Sequence, residues 1–545
     1  MFKEEPTTNS SISSAPSSSP THPLLSKLYQ SPIPTHPSSP QPDPEPDPTH
    51  ITYNYSPRPI KDLPFLILFT LFVLSTFALG IFAIIKHNPN SSYASFYIYD
   101  EDTSSCYKPT QINHSVTFLS NFFLEKSHLL EILIWTLVIT LVLSVPFGFS
   151  LLILLKHYTK YIVYGSLPFF VIVPIFLNVY WFVACTISSS CSQSFDLVYQ
   201  ILVLVFVFLV IGVVLWIFVA NWHRVELTVK IIRVAANALS KNMGLFGVLP
   251  ALTFGFVVYL VPVVVFLVFA KSNGKIVPRG KHEEFYCAWK QDGWVPAYYV
   301  LAIFTMLWSA AAMVEAQVYV ISGTIAQWYF SKNDANLKRS LRSSLRNAFG
   351  PSFGTVCFSG LLSFFVRLVR SAVDNAKQDL PGIVNVILRC CVNTFMVAFD
   401  FLNEFTINLA AITGEAYCTS ARMTYELLCR NLLSAVFVET VSTRVLSGIS
   451  FVFAAIYGIL VCAILKGAIG IGNDSYFVAA MAWLLLLLVL GFVVQVLDNV
   501  IETVYVCYAI DRDTGNVCKQ EVHDVYVHLP ISRNHISHSA RTSLA

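Results

Sequence analysis

Eight segments of this chain are each long and apolar enough to cross a bilayer: residues 63–85, 128–155, 161–187, 197–220, 245–270, 295–330, 445–465 and 476–500. A span needs roughly 20 mainly apolar residues, and inside lipid the backbone of each must close its own hydrogen bonds, which leaves the helix as the available form. Two weaker stretches, 349–369 and 383–411, complete the series, although the second carries Arg389, Asp400 and Glu404. Counting both gives ten spans and counting neither gives eight; either number puts the two chain ends on one side. The expectation is an all-α polytopic membrane protein of about ten transmembrane helices, with residues 63–510 as the membrane domain.

Composition excludes the main alternative. Of 545 residues 55% are hydrophobic and 12% charged, whereas a soluble globular protein carries about 25% charged residues. A net charge of +3 without a dense basic block offers nothing to nucleic acid. Residues 1–62 lack an apolar region that could serve as a signal peptide and are rich in Pro, Ser and Thr. Such a segment buries too little apolar surface to offset its ordering entropy, so it reads as a disordered tail or, alternatively, a polyproline ligand. Residues 511–545 read as a second, short tail. Residues 225–241 place Val225, Val229, Ile232, Ala236 and Leu239 at helical spacing against Arg224, Lys230, Arg233 and Lys241, the pattern of an interfacial amphipathic helix that braces the spans. Residues 415–428 and 430–442 suggest another.

Lys and Arg are more numerous in the loops assigned to the cytosol, by a narrow margin, and this puts both termini inside. Three Asn-x-Ser sequons, at Asn90, Asn113 and Asn473, then fall outside and suggest a glycoprotein. Cys106, Cys185, Cys191 and Cys287 lie in or beside external loops, where disulfides form; the other eight cysteines are expected to be reduced. No Cys or His grouping has metal-binding spacing, and no cofactor is implied.

The 295–330 segment carries the strongest functional signal. Glu315 and Gln317 sit near its middle, and a carboxylate at membrane depth costs several kcal/mol unless it faces a partner or a water-filled path. Three readings of Glu315 stand side by side: counter-charge for a cation, proton-coupling group, or structural partner of a polar residue on a neighbouring span. Aromatic faces hold fixed cations, and Tyr180, Trp181, Trp216, Trp308, Trp328 and Tyr329 are candidates; the alternative for each is the interfacial aromatic belt. Asp400 with Glu404, and Asp498 with Glu502, are spaced i, i+4 and share a helix face, as a negative vestibule or as ion-pair partners of Arg389 or Arg430. Pro146, Pro168, Pro174, Pro250 and Pro262 predict kinked or broken spans.

Several blocks resemble the choline transporter-like family, which includes the PNS-type proteins of plants and fungi. They are Ser322-Gly323-Thr324-Ile325-Ala326-Gln327-Trp328-Tyr329-Phe330 followed by Gly350-Pro351-Ser352-Phe353-Gly354-Thr355; Arg389-Cys390-Cys391, then Phe401-Leu402-Asn403; Gly414-Glu415-Ala416-Tyr417-Cys418-Thr419-Ser420-Ala421 with Arg430-Asn431; and Asp498, Tyr505 and Asp511 near the end. The family's Asn-Arg-Asn-Ala-Tyr run departs here to Asn403-Glu404-Phe405-Thr406-Ile407, and the loop at 87–127 is short. The resemblance implies a ten-span carrier of choline or a related small organic cation, with both termini cytosolic. Plasma membrane is the default location, with the trans-Golgi or endosomes as alternatives. No ATP-binding P-loop appears, so the implied drive is a gradient; a channel or a non-transporting scaffold in lipid metabolism are the competing functions, and no nucleophile motif points to an enzyme.

Overall fold

The computed structural model describes residues 53–89, 97–100, 105–107, 127–187, 197–220, 222–281, 284–331, 337–375, 382–470, 472, 474–515 and 517–529. Twelve α-helices are labelled in chain order: α1 Leu63–Ile85, α2 Ser127–Ile187, α3 Leu197–Ala220, α4 Trp222–Lys241, α5 Leu245–Lys271, α6 Val295–Phe330, α7 Leu337–Ala348, α8 Phe353–Asn375, α9 Gly382–Thr413, α10 Tyr417–Ile464, α11 Asp474–Thr514 and α12 Gln520–Tyr526. Nine helices among the described residues meet the length and hydropathy of a span, and the 61-residue α2 is two helices joined at a kink where Tyr158 leaves helical geometry (φ −122°, ψ 23°). With that break counted, the described residues hold ten helical segments long enough to cross a bilayer. The two weak stretches are both present, as α8 and α9.

Large apolar side chains on α2, α3 and α5, such as Phe176, Leu202, Phe206 and Phe254, are exposed on the outside of the bundle. A contiguous surface of that kind suits lipid. The inner core is built from α4, α6, α9, α10, α11 and α12, around Ile231, Tyr319, Tyr329, Phe405, Tyr505 and Tyr526. Helix α4 lays its apolar face, including Val225, Ile232 and Leu239, into this core and packs on α2 and α11, so the expected amphipathic segment does brace the spans. The helix continues through Pro146, Pro168 and Pro174 in α2 and Pro250 and Pro262 in α5; the break falls at Tyr158 instead. The two amphipathic stretches around 415–442 are one continuous helix with the following span, α10.

Helices α6 and α8 approach at backbone contact. A Cβ placed on Gly360 would lie 2.6 Å from both N and Cα of Ala312, far inside the ~3.5–4.0 Å of an ordinary carbon contact. Glycine at this one position lets α8 sit against α6.

One end of the bundle carries two antiparallel hairpins, β1 Ile98–Asp100 with β2 Ser105–Tyr107, and β3 Gly274–Lys281 with β4 Glu284–Gln291. A Cys106–Cys287 disulfide ties them together. Cys185 is also disulfide-bonded, whereas Cys357, Cys390, Cys391, Cys418, Cys429, Cys462, Cys507 and Cys518 are free. This is the division expected from the loop assignments; Cys191 and the three sequons lie outside the described residues.

The opposite end gathers both described chain ends. The Tyr53 ring lies 6.4 Å from that of Phe330, and Lys519 Nζ donates to Ser331 O at 3.3 Å. Residues 53–62, assigned by composition to the tail, form an extended strap across the ends of α6, α8 and α9. Asn54 N–H donates to Ile412 O (3.3 Å) and Lys61 N–H to Pro351 O (3.1 Å).

Candidate functional site: a polar seam on helix α6

Trp308, Glu315, Ser322 and Tyr329 are spaced seven apart on α6. Seven residues make about two turns and ~10 Å of rise, so all four lie on one face. Each is buried, and each bonds to a neighbouring helix. A polar group at membrane depth has no water to turn to, so its hydrogen-bond needs are met by other helices or left unmet at a cost.

At the hairpin end of the seam, Trp308 Nε1 donates to Cys357 O of α8 (2.9 Å), and its indole is wedged among Phe69, Phe72 and Phe304. Its faces are covered by protein. In mid-span, Glu315 is 8% exposed. Its Oε1 accepts from Ser363 Oγ of α8 (2.7 Å) and Asn403 Nδ2 of α9 (3.3 Å). Asn403 Nδ2 also reaches Ser363 Oγ (2.9 Å), and Asn403 Oδ1 accepts from Ser359 Oγ (3.1 Å) and from the Tyr417 hydroxyl. The donors to this carboxylate are therefore neutral. Two turns on, Ser322 Oγ donates to Asn408 Oδ1 (2.5 Å) and accepts from Thr503 Oγ1 (3.1 Å), while Asn408 Nδ2 donates to Glu502 Oε2 (3.4 Å). Glu502 is 1% exposed. At the strap end, the Tyr329 hydroxyl donates to Asp511 Oδ2 (2.9 Å), which also accepts from Cys518 N–H (2.9 Å) and lies 3.5 Å from His523 Nε2.

The seam thus joins α6 to α8, α9 and α11 and aligns the carboxylates Glu315, Glu502 and Asp511 along the bundle. Toward the hairpin end, Asp400 Oδ2 accepts from Arg370 Nη2 at 2.9 Å; the ion-pair reading of Asp400 is met by Arg370 rather than Arg430, and the Arg389 side chain lies outside the described side chains. Arg430 pairs with Asp513 instead (3.3 Å). Glu404, one turn from Asp400, is half-buried. Asp498 Oδ2 accepts from Thr443 Oγ1 of α10 (2.8 Å), and its Oδ1 is buried without a bond.

Gln317 is on another face, donating to Thr253 Oγ1 of α5 at 2.9 Å. Trp328 is buried, with Lys519 Nζ 5.5 Å from its ring centroid, so this ring already faces an ammonium of the chain itself. Tyr180 and Trp181 lie on the exposed side of α2, which packs against α3, α4, α10 and α11. The seven substrate candidates are therefore not one cage: Glu315 and Tyr329 share the seam face with Trp308, Gln317 and Trp328 point elsewhere, and Tyr180 and Trp181 sit on a different helix.

The strap reaches the same seam. Arg58 is 8% exposed; its guanidinium donates to Tyr319 OH (2.5 Å), Ala411 O (2.8 Å) and Ile412 O (3.3 Å), and Tyr319 OH donates on to Ser352 Oγ (2.8 Å). Gly414 (φ +76°) turns the chain here, and any side chain on it would collide with Arg58. Asp62 Oδ2 accepts from Thr355 Oγ1 (2.7 Å) and Tyr417 N–H (2.8 Å), and Lys61 pairs with Glu415 (3.2 Å). Burial raises the Tyr53 phenol above its ordinary pKa, with the Arg58 guanidinium pulling the other way.

A bundle of helices long and apolar enough to cross a bilayer, with buried carboxylates aligned through it, defines a polytopic membrane protein. A family model described as plasma-membrane choline transporter matches residues 205–513, which is more than half of the chain and includes α6, α8, α9 and nearly all of α11. The chain belongs to the choline transporter-like family. It is 22% identical over 500 residues to a CTL-like protein of Dictyostelium discoideum, covering 86% of this chain and 87% of that one. It is 22% identical over 305 residues to choline transporter-like protein 1 of Mus musculus, covering 53% and 45%. It is 29% identical over 149 residues to choline transporter-like 2 of Drosophila melanogaster, covering 26% and 19%. The chain thus spans less than half the length of these two animal relatives.

Proposed function

We propose that this chain is an ATP-independent carrier of choline or a related small organic cation, working by alternating access, with Glu315 as the mid-membrane counter-charge. The observation that carries this reading is the setting of Glu315: buried at the centre of α6 and held by the neutral donors Ser363 and Asn403. Neutral donors orient a carboxylate without forming an ion pair with it; the Arg367 guanidinium, one turn beyond Ser363 on α8, acts on it only through space, which supports a charge open to a passing cation. Glu502 and Asp511 supply further negative groups toward the strap end. The membrane potential offers about 2.3 kcal/mol per charge per 100 mV, enough to drive uptake of a monovalent cation.

The hairpins with their disulfide suit the oxidising exterior, which supports a cytosolic strap end and cytosolic chain termini. Plasma membrane is the location this reading favours. The test is labelled-choline flux into proteoliposomes holding the purified protein. Saturable, competable, ATP-free flux is expected. Flux that rises linearly with concentration replaces the carrier with a channel, and no flux replaces it with a non-transporting scaffold.

A further inference from the structure

We infer that Ser56 is a phosphorylation site for a proline-directed serine/threonine kinase, and that its phosphate unlatches the strap from the cytosolic end of the seam. Ser56 is exposed and directly precedes Pro57. Its hydroxyl donates only to the nearby side chain of Asn54, so a kinase can reach it without opening the bundle. Two residues on, Arg58 is the buried anchor of the strap.

The charge added by the modification acts twice on that anchor. Asn54 N–H and the Arg58 guanidinium hold the last carbonyls of α9, at Ala411 and Ile412. A helix C-terminus carries partial negative charge, and a phosphate placed beside one is repelled. Glu415, just past that terminus, is already paired with Lys61 at 3.2 Å, so the repulsion comes from the carbonyls of α9. The phosphate also offers Arg58 a charge-assisted partner outside its pocket, where Nε is at present buried without a bond. Repulsion from α9 and competition for Arg58 both favour release. Two paths then connect the strap to the carboxylate in mid-span: Arg58 through Tyr319, four residues from Glu315 on α6, and Asp62 through Tyr417 to Asn403.

The chemistry is phosphoryl transfer. Ser56 Oγ attacks the γ-phosphorus of ATP, the bond from that phosphorus to the β–γ bridging oxygen breaks, ADP leaves, and the hydroxyl proton passes to the kinase's base. The cytosolic placement of the strap rests on the orientation proposed above.

The test uses the full chain in detergent, incubated with Mg-ATP and a purified proline-directed kinase, with Ser56→Ala as the unmodifiable control. Peptide mass analysis reads phosphate at Ser56, and hydrogen–deuterium exchange reads the amides of Asn54 and Lys61. The expected result is stoichiometric phosphate at Ser56 and about tenfold faster exchange at both amides, the ratio that ~1.4 kcal/mol of lost latching gives. Ser56→Glu and Arg58→Ala should speed the same amides, and phosphorylation of Arg58→Ala should add little. No phosphate at Ser56 in the folded protein, or full phosphorylation with unchanged exchange, overturns the inference. Because exchange in detergent depends on neither transport nor membrane orientation, its failure is separate from failure of the carrier reading.

Discussion

Replacing Gly360 with Ala tests how closely the seam depends on helix spacing. The added methyl would meet Ala312 N and Cα at 2.6 Å, roughly 1 Å short of an ordinary carbon contact. The conflict is with backbone, so no rotamer relieves it and α8 must retreat from α6. A retreat of ~1 Å stretches the 2.7 Å bond from Ser363, less than one turn away on α8, to Glu315 beyond hydrogen-bonding range. Overpacking costs ~1–3 kcal/mol, and leaving a buried charged acceptor short of a donor adds a further ~1–3 kcal/mol. The assay is thermal unfolding of the purified protein in detergent. Gly255→Ala is the control, because a Cβ there meets nothing within 4 Å; Ala is the better helix former by up to ~1 kcal/mol, so this variant should match or exceed wild type. Gly360→Ala should melt well below it, and adding Ala312→Gly should not rescue, since the backbone remains. Equal melting of Gly360→Ala and Gly255→Ala would mean that α8 does not depend on glycine to sit against α6.

Asp400→Asn removes an ion pair in which both side chains are 41% exposed, so thermal stability should move by no more than ~1 kcal/mol; a larger loss on unfolding would mean that the pair is structural. Tyr329→Phe removes a donor to the buried Asp511 carboxylate and should cost ~1–3 kcal/mol, read as a lower melting temperature. Replacing Cys106 and Cys287 together with Ser should leave the helical bundle folded by circular dichroism while lowering its melting temperature through up to ~4 kcal/mol of lost loop constraint.

Hydropathy alone located most of the spans, because lipid imposes one length and one secondary structure on each. It faltered at α8 and α9, where Arg367, Arg370 and Asp400 lower the apolar signal; Arg370 and Asp400 answer each other across the two helices, and such pairing is invisible in a single sequence. Glu315 stood out because a lone carboxylate in an apolar run is costly, but its partners did not. Ser363 and Asn403 are small polar residues of a kind common in membrane helices, and only the fold brings them to one oxygen. A signal was nonetheless present. The interval of seven linking Trp308, Glu315, Ser322 and Tyr329, and the interval of four linking Thr355, Ser359, Ser363 and Arg367, are each one helix face. The strap was the least legible part. Its Pro-rich composition argues for a tail, and Arg58 is held by carbonyls and a hydroxyl from residues more than 250 positions away in the chain.

Glu315→Gln isolates the charge of Glu315 from its hydrogen bonds. The amide keeps the acceptor oxygen that Ser363 and Asn403 bind, so the variant should fold, purify and melt like wild type. The decisive measurement is initial labelled-choline flux in proteoliposomes at matched protein content and fixed membrane potential. Flux should fall at least tenfold, about 1.4 kcal/mol or more of lost cation stabilisation. Wild-type flux from a well-folded Glu315→Gln protein would contradict the counter-charge role of Glu315.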